Sequence, residues 1–191
     1  NSWGFKINID KTVCTVFTNR QNHRKPVLKI NGKELKIETK PKFLGVIMDE
    51  RLVWQHYIEY ITGKCNRRLN LMRNIQHNDW GASKNALLII YKTLIRPLLD
   101  YACAAIDNVS DGMSKKLDSI QYKALRICCA ARFGTSLESL QNETGEMPLR
   151  YRRIENVIKL TIKIKANENH TAKEILQDNW RNHYGSYNDN K

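Results

Sequence analysis

The sequence predicts an α+β fold, with a small antiparallel β part over the first 50 residues and a mostly α-helical bundle after it. Three observations carry this. Asn31-Gly32 lies between two alternating segments, "VLKI" and "KELKI", the strongest short hairpin signal a sequence offers. The apolar run "KFLGVIM" (42–48) reads as a further strand. From residue 55 the apolar spacing changes to steps of three and four, the helical period.

The elements follow in order. "KTVCTVF" (11–17) has the Val, Thr and Phe of a strand, and "TNRQNHRKP" (18–26) is a polar, basic loop. The hairpin covers 27–37. In the 42–48 strand Gly45 sits at the centre, where a glycine marks a close approach of another backbone or a ligand. In "QHYIEYITGKCNRRLNLMRNIQH" the stripe is Ile58, Ile61, Cys65, Leu69, Met72 and Ile75, with Lys64, Arg67, Arg68 and Arg73 largely off it.

Ser83 caps the next helix, whose broad face is Leu87, Leu88, Tyr91, Leu94, Ile95 and Leu98. Pro97 should kink or end it, and "DYACAAI" continues as small-residue packing. A third helix, "DGMSKKLDSIQYKALRICCAA", turns Leu117, Ile120, Ala124, Ile127 and Ala131 inward. Thr135 and Glu138 form a capping box for a short helix that Gly145 stops. Pro148 suits the first turn of a last long helix, "LRYRRIENVIKLTIKIKAN". The tail from about Gln177 has no period and reads as loose, giving segments 1–50, 51–176 and 177–191.

Charge narrows the partners. The 191 residues carry 32 Lys and Arg against 19 acidic side chains, a formal charge of +13. Residues 1–48 hold 10 of the basic and 3 of the acidic groups, about half the excess. Such an excess favours a polyanion, nucleic acid first and an anionic membrane surface second. A hydrophobic fraction of 41% with four tryptophans supports a packed core. No apolar run reaches the ~20 residues that cross a bilayer. The opening "NSWGFKINIDK" lacks a signal peptide's apolar stretch. It also lacks a starting Met, so the chain is expected to be a fragment of something longer.

Five cysteines without a C-x-x-C spacing point to reduced thiols in an intracellular protein, in nucleus or cytoplasm. The three N-x-[ST] matches are expected to be fortuitous. No P-loop, H-x-x-x-H or G-x-S-x-G occurs. Two-metal phosphoryl chemistry needs carboxylates that hold two cations ~3.5–4 Å apart. The nearest candidates, Asp10 and Asp49-Glu50, read better as turn and strand-end residues. No metal ligand and no cofactor is therefore expected in this chain.

The order of pieces carries a resemblance. "GFKINIDKTVCTVF", "KINGKELKIETKPKFLGVIMDERLVWQHYI", "LLIIYKTLIRPLLDYACAA", "LDSIQYKALRICCAA" and "NETGEMPLRYRR" occur in that order. Together they resemble the C-terminal part of a jockey-type non-LTR retrotransposon reverse transcriptase, from residue 3 to about residue 165. The resemblance implies a right-hand polymerase, an RNA-directed DNA polymerase that copies an RNA template from a DNA primer. Residues 1–50 would be the palm end, and the helices after Trp54 the thumb and connection.

"GFKINIDKT" is similar to the family's motif D, which would make Lys11 a general acid toward the leaving pyrophosphate. "KFLGVIMD" is similar to motif E, the primer grip. Gly45 would let the primer backbone lie close, Lys40 and Lys42 would sit near phosphates, and Phe43 and Leu44 would anchor the hairpin or touch the primer terminus. On the first thumb helix, Lys64, Arg67, Arg68 and Arg73 would meet the template–primer groove. The family's metal-binding carboxylates precede motif D. Mg²⁺ is thus expected only in the full-length polymerase, whose fingers and palm would be this piece's protein partners. The alternative is a stand-alone nucleic-acid-binding protein derived from such an element, its polymerase activity lost. A helical interaction domain with incidental charge is the third.

Overall fold

A computed structural model describes Gly4 and residues 7–20, 26–76, 81–103, 105–106 and 109–174. The tail expected to be loose lies outside them, apart from its approach. Ile9–Lys11 form a 3₁₀ turn capped by the Asn8 side chain. Six two-residue strands follow: β1 Val13–Cys14, β2 Lys29–Ile30, β3 Lys33–Glu34, β4 Lys36–Ile37, β5 Lys42–Phe43 and β6 Val46–Ile47. The helices are α1 Gln55–Ile75, α2 Lys84–Ile90, α3 Arg96–Asp100, α4 Asp111–Cys128, α5 Leu137–Thr144 and α6 Leu149–Ala166.

The Asn31-Gly32 hairpin is present. Lys29 faces Glu34 and Ile30 faces Lys33 across a turn with φ of 51° and 78°, which suits Asn and Gly. Two expectations change. The 11–17 strand shrinks to Val13–Cys14, and it pairs with β4 in parallel rather than antiparallel fashion, Val13 opposite Lys36. The 42–48 strand is a hairpin: Lys42 faces Ile47, Phe43 faces Val46, and Leu44-Gly45 turn between them with φ of 46° and 86°. Gly45 is therefore a turn glycine. A single apolar run concealed the reversal, because Leu44 is a residue that seldom adopts positive φ.

Between the hairpin and α1 the chain winds tightly, with Leu52 and Trp54 at φ of 53° and 65°. The Asp49 carboxylate holds this winding by accepting the N–H groups of Arg51 (3.2 Å), Val53 (3.0 Å) and Trp54 (2.8 Å). It supplies acceptors that the start of a helix otherwise lacks.

The core is helical. Tyr57, Ile58, Cys65, Leu69 and Met72 of α1 are buried against Leu87, Tyr91 and Ile95 and against Ile120, Ala124 and Leu125 of α4. The predicted α1 stripe is thus its buried face, with Tyr57 added. Each large apolar side chain removed from water contributes roughly 1.5–3 kcal/mol before entropy is counted.

Ser83 caps α2 as expected, accepting from the Ala86 N–H at 3.3 Å. Pro97 neither ends nor sharply breaks the helix. Instead Tyr91–Ile95 widen into a π-helical turn, in which the Arg96 N–H bonds the Tyr91 carbonyl, and α3 resumes. The wider turn takes up the missing donor and bulk of the proline ring.

The short α5 is capped one residue later than expected. Ser136 accepts from Ser139 N–H at 3.1 Å, while the Thr135 hydroxyl donates to Arg132. Gly145, at φ 65°, stops α5, and Pro148 is the residue before α6. A buried amide chain ties these pieces together. Gln141 Nε2 donates to Gln121 Oε1 at 2.9 Å, and Gln121 Nε2 donates to the Met147 carbonyl at 2.9 Å. Arg152 of α6 grips Asp100 with two bonds of 2.7 Å, and buried Glu146 accepts from Lys92 and Arg96.

Candidate nucleic-acid interface

The β5–β6 hairpin projects beside the exposed flank of α1. At its tip Phe43 and Leu44 are 63% and 74% exposed, although both are large and apolar. The tip is not loose: the Tyr101 hydroxyl donates to the Leu44 carbonyl, and a Cβ on Gly45 would stand 3.8 Å from the Tyr101 ring. That is ordinary contact, so it is the backbone reversal, rather than crowding, that favours glycine there.

The base of the hairpin meets Tyr60 of α1. Lys42 Nζ donates to the Tyr60 hydroxyl at 3.0 Å and lies 4.7 Å from the ring centroid. Lys64, one turn further along α1, places its ammonium 4.4 Å from the same centroid. The two ammonium groups hydrogen-bond and attract the phenolate form, so the Tyr60 hydroxyl is held down at about 8 from its ordinary 10. Two cations thus converge on one half-buried aromatic ring, a geometry suited to phosphate oxygens with a base or sugar beside them.

The other predicted residues fall as follows. Arg67 is exposed on the same side of α1 as Tyr60 and Lys64. Arg68 is half-buried and donates to the Leu94 carbonyl in the π-helical turn. Arg73 is exposed and bonds Asn70 at 2.6 Å. Lys40 lies in the bend before β5, at an open depression of about 350 Å³ shared with Asp49, Glu50 and His56. Lys11 ends the 3₁₀ turn, exposed, and among the described residues no hydrogen bond or ion pair joins its side chain to the hairpin.

Sequence reasoning missed Tyr60 and Tyr101. Both lie outside the apolar stripe, and each acquires its role through a contact far along the chain. A clue to Tyr60 existed: it precedes Lys64 by four residues, the spacing at which helical side chains meet.

Among the described residues, no group of three His, Cys, Asp or Glu side chains could hold a metal ion. Asp49, a candidate by type, has its oxygens committed to three backbone N–H groups. Cys14, Cys65, Cys128 and Cys129 are free thiols. Burial pushes Cys65 up to about 11 and Cys128 up to about 12, which keeps both protonated. No helix among the described residues is long and apolar enough to cross a membrane.

No family model matches the chain, and no solved structure matches it. Curated proteins do. The chain is 23% identical over 159 residues, 78% of its length, to a "Retrovirus-related Pol polyprotein from type-1 retrotransposable element R1" of Bradysia coprophila. It is 30% identical over 129 residues, 65% of its length, to an "RNA-directed DNA polymerase from mobile element jockey" of Drosophila funebris. Its counterpart from Drosophila melanogaster is 24% identical over 125 residues. Homologues of this chain are non-LTR retrotransposon polymerases. The chain spans only 13–15% of the length of these three relatives. The retroelement homology thus covers most of this chain and a small part of each retroelement protein.

Proposed function

We propose that the chain is the palm end and thumb of a non-LTR retroelement reverse transcriptase, and that it holds primer–template nucleic acid between the β5–β6 hairpin and the adjoining flank of α1. One observation carries the reading. Leu44 occupies a left-handed turn position that costs a leucine roughly 1–2 kcal/mol, yet displays its side chain to solvent. Strain kept at an exposed position is a mark of a contact made elsewhere. Lys42 and Lys64 beside it supply phosphate contacts, and Phe43 and Leu44 supply the apolar surface against a primer terminus.

On this reading nucleotidyl transfer and its Mg²⁺ belong to carboxylates of a longer polymerase, and Lys11 is its proton donor to pyrophosphate. This chain's part is positioning. The test is fluorescence anisotropy of the purified chain with a labelled RNA–DNA primer–template, titrated across salt. The expected outcome is submicromolar binding at low salt, with Lys42→Gln/Lys64→Gln flattening the log–log slope by about two. Absence of binding by a folded sample, shown folded by circular dichroism, would sink the reading.

A further inference from the structure

A second basic surface lies on the other flank of α1. Thr62 and Lys64 are two residues apart, so at about 100° per residue they point to nearly opposite sides of the helix. On the Thr62 side, α1 and α4 enclose an open groove of about 320 Å³ lined by Thr62, Gly112, Lys115, Lys116, Ser119 and Lys123. Gly112, Lys116, Ser119 and Lys123 recur at steps of four, three and four, which puts them on one stripe of α4. Gly112, and Gly63 next to Thr62, would each have open space around an added Cβ, so neither glycine is required by internal packing.

Two features distinguish this groove from an ordinary solvated face. Three lysines gather there with little neutralisation: Glu59 reaches Lys116 only at 3.9 Å, and no ion pair joins Lys115 or Lys123 to an acidic group of the described residues. Like charges held together without partners oppose the fold unless an anion offsets them. In addition, Thr62 Oγ1 is buried without a hydrogen-bond partner, alone in this among the described residues' side-chain nitrogens and oxygens. A buried hydroxyl in that state calls for an acceptor or donor from outside.

We infer that the α1–α4 groove is a second phosphate-binding site, and that it takes the backbone of a nucleic acid rather than a free nucleotide. Lys115, Lys116 and Lys123 neutralise phosphates, and the Thr62 and Ser119 hydroxyls donate to their oxygens. The groove is open and long: Lys116 and Lys123 are about 10 Å apart along α4 at 1.5 Å per residue. That length corresponds to about three charges of one strand at 3.4 Å each. A polymer with regularly spaced phosphates fills it, whereas a mononucleotide leaves one end empty. The site shares no residue with the hairpin face, so α1 becomes a ridge with phosphate contacts on both flanks.

The test uses the full chain, the labelled RNA–DNA primer–template and three variants. Lys115→Gln/Lys116→Gln/Lys123→Gln is expected to lower the salt slope by about two to three, with helicity unchanged. Thr62→Val, which keeps shape and removes the hydroxyl, is expected to weaken binding about fivefold without lowering stability. The triple lysine variant and Lys42→Gln/Lys64→Gln should have additive effects on the slope. Inorganic phosphate should compete only at high concentration, since it cannot span the groove. A triple lysine variant with wild-type affinity and slope overturns the groove while leaving the hairpin interface standing. The reverse pattern, loss in the triple variant and none at the hairpin, supports the groove and refutes the hairpin reading. A folded wild-type chain that binds no nucleic acid refutes both.

Discussion

Tyr101 donates its hydroxyl to the carbonyl of Leu44, across 57 residues of sequence. This bond fastens the tip of the β5–β6 hairpin to the segment that follows α3, and it fixes the reversal from the backbone side. The Leu44 side chain is left exposed, at a turn position whose φ of 46° suits asparagine better.

Leu44→Asn should therefore separate stability from binding. Relief of the left-handed strain is expected to stabilise the fold by about 0.5–1 kcal/mol. Loss of the apolar tip is expected to weaken primer–template affinity. Urea denaturation and anisotropy on the same sample check both, and a variant that binds as well as wild type removes the tip from the interface.

Tyr60 titration is open to direct observation. Tyrosinate absorbance should show one midpoint near 8, absent in Tyr60→Phe, because Lys42 and Lys64 favour the phenolate. Replacing either lysine with methionine removes a positive charge and moves the midpoint up toward 10. Lys42 from the hairpin and Lys64 on α1 face the hydroxyl, and the Tyr60 charge is also felt by Tyr57. As pH rises through about 8, the phenolate neutralises cations that phosphate would use, so binding should weaken. In Tyr60→Phe it should not, and identical pH profiles for the two proteins would refute the competition.

Asp49→Ala should loosen the start of α1. Three backbone N–H groups lose their shared acceptor, one of them in buried surroundings. The expected cost is about 2–3 kcal/mol. Amide exchange at Val53 and Trp54 should accelerate ahead of global unfolding. Equal protection in the two proteins would show that water replaces the carboxylate freely.

Arg67 and Arg68 are neighbours with separate tasks. Arg67→Ala is expected to leave stability within about 0.5 kcal/mol and to flatten the salt slope of binding by about one. Arg68→Ala removes the donor to the Leu94 carbonyl and the packing of its stem, for about 1–2 kcal/mol of stability. Thermal melts and salt titrations of both single variants check the division, and equal melts would return Arg68 to the solvent-facing group.

Gln121→Leu should cost about 3 kcal/mol, since it strands the Gln141 amide and the Met147 carbonyl in a buried junction of α4, α5 and the start of α6. Chemical denaturation measures this. A neutral result would mean that the two groups find new partners by rotating.

How much of this was legible in the chain depends on range. The buried face of α1 was readable, because Ile58, Ile61, Cys65, Leu69 and Met72 repeat the helical period and burial follows the period. So were the Asn31-Gly32 turn, the Ser83 cap and the Gly145 stop, each a local matter of backbone angles and nearby donors. The excess of positive charge was readable as well, and the resemblance singled out Lys42 and Lys64, which the structure brings together at Tyr60.

Only the tertiary structure decided the rest. The turn at Leu44-Gly45 has no turn signature in its first residue, and Tyr101 holds it from a distance. The π-helical turn before Pro97 uses a donor from Arg68, 26 residues from its acceptor. Tyr60 becomes the meeting point of Lys42 and Lys64 only when the hairpin folds onto α1. The groove of Thr62 and the α4 lysines needs two helices side by side. Local angles and periodicity are written in neighbouring residues, whereas a pair of cations at one ring is set by packing between elements that the linear sequence keeps apart.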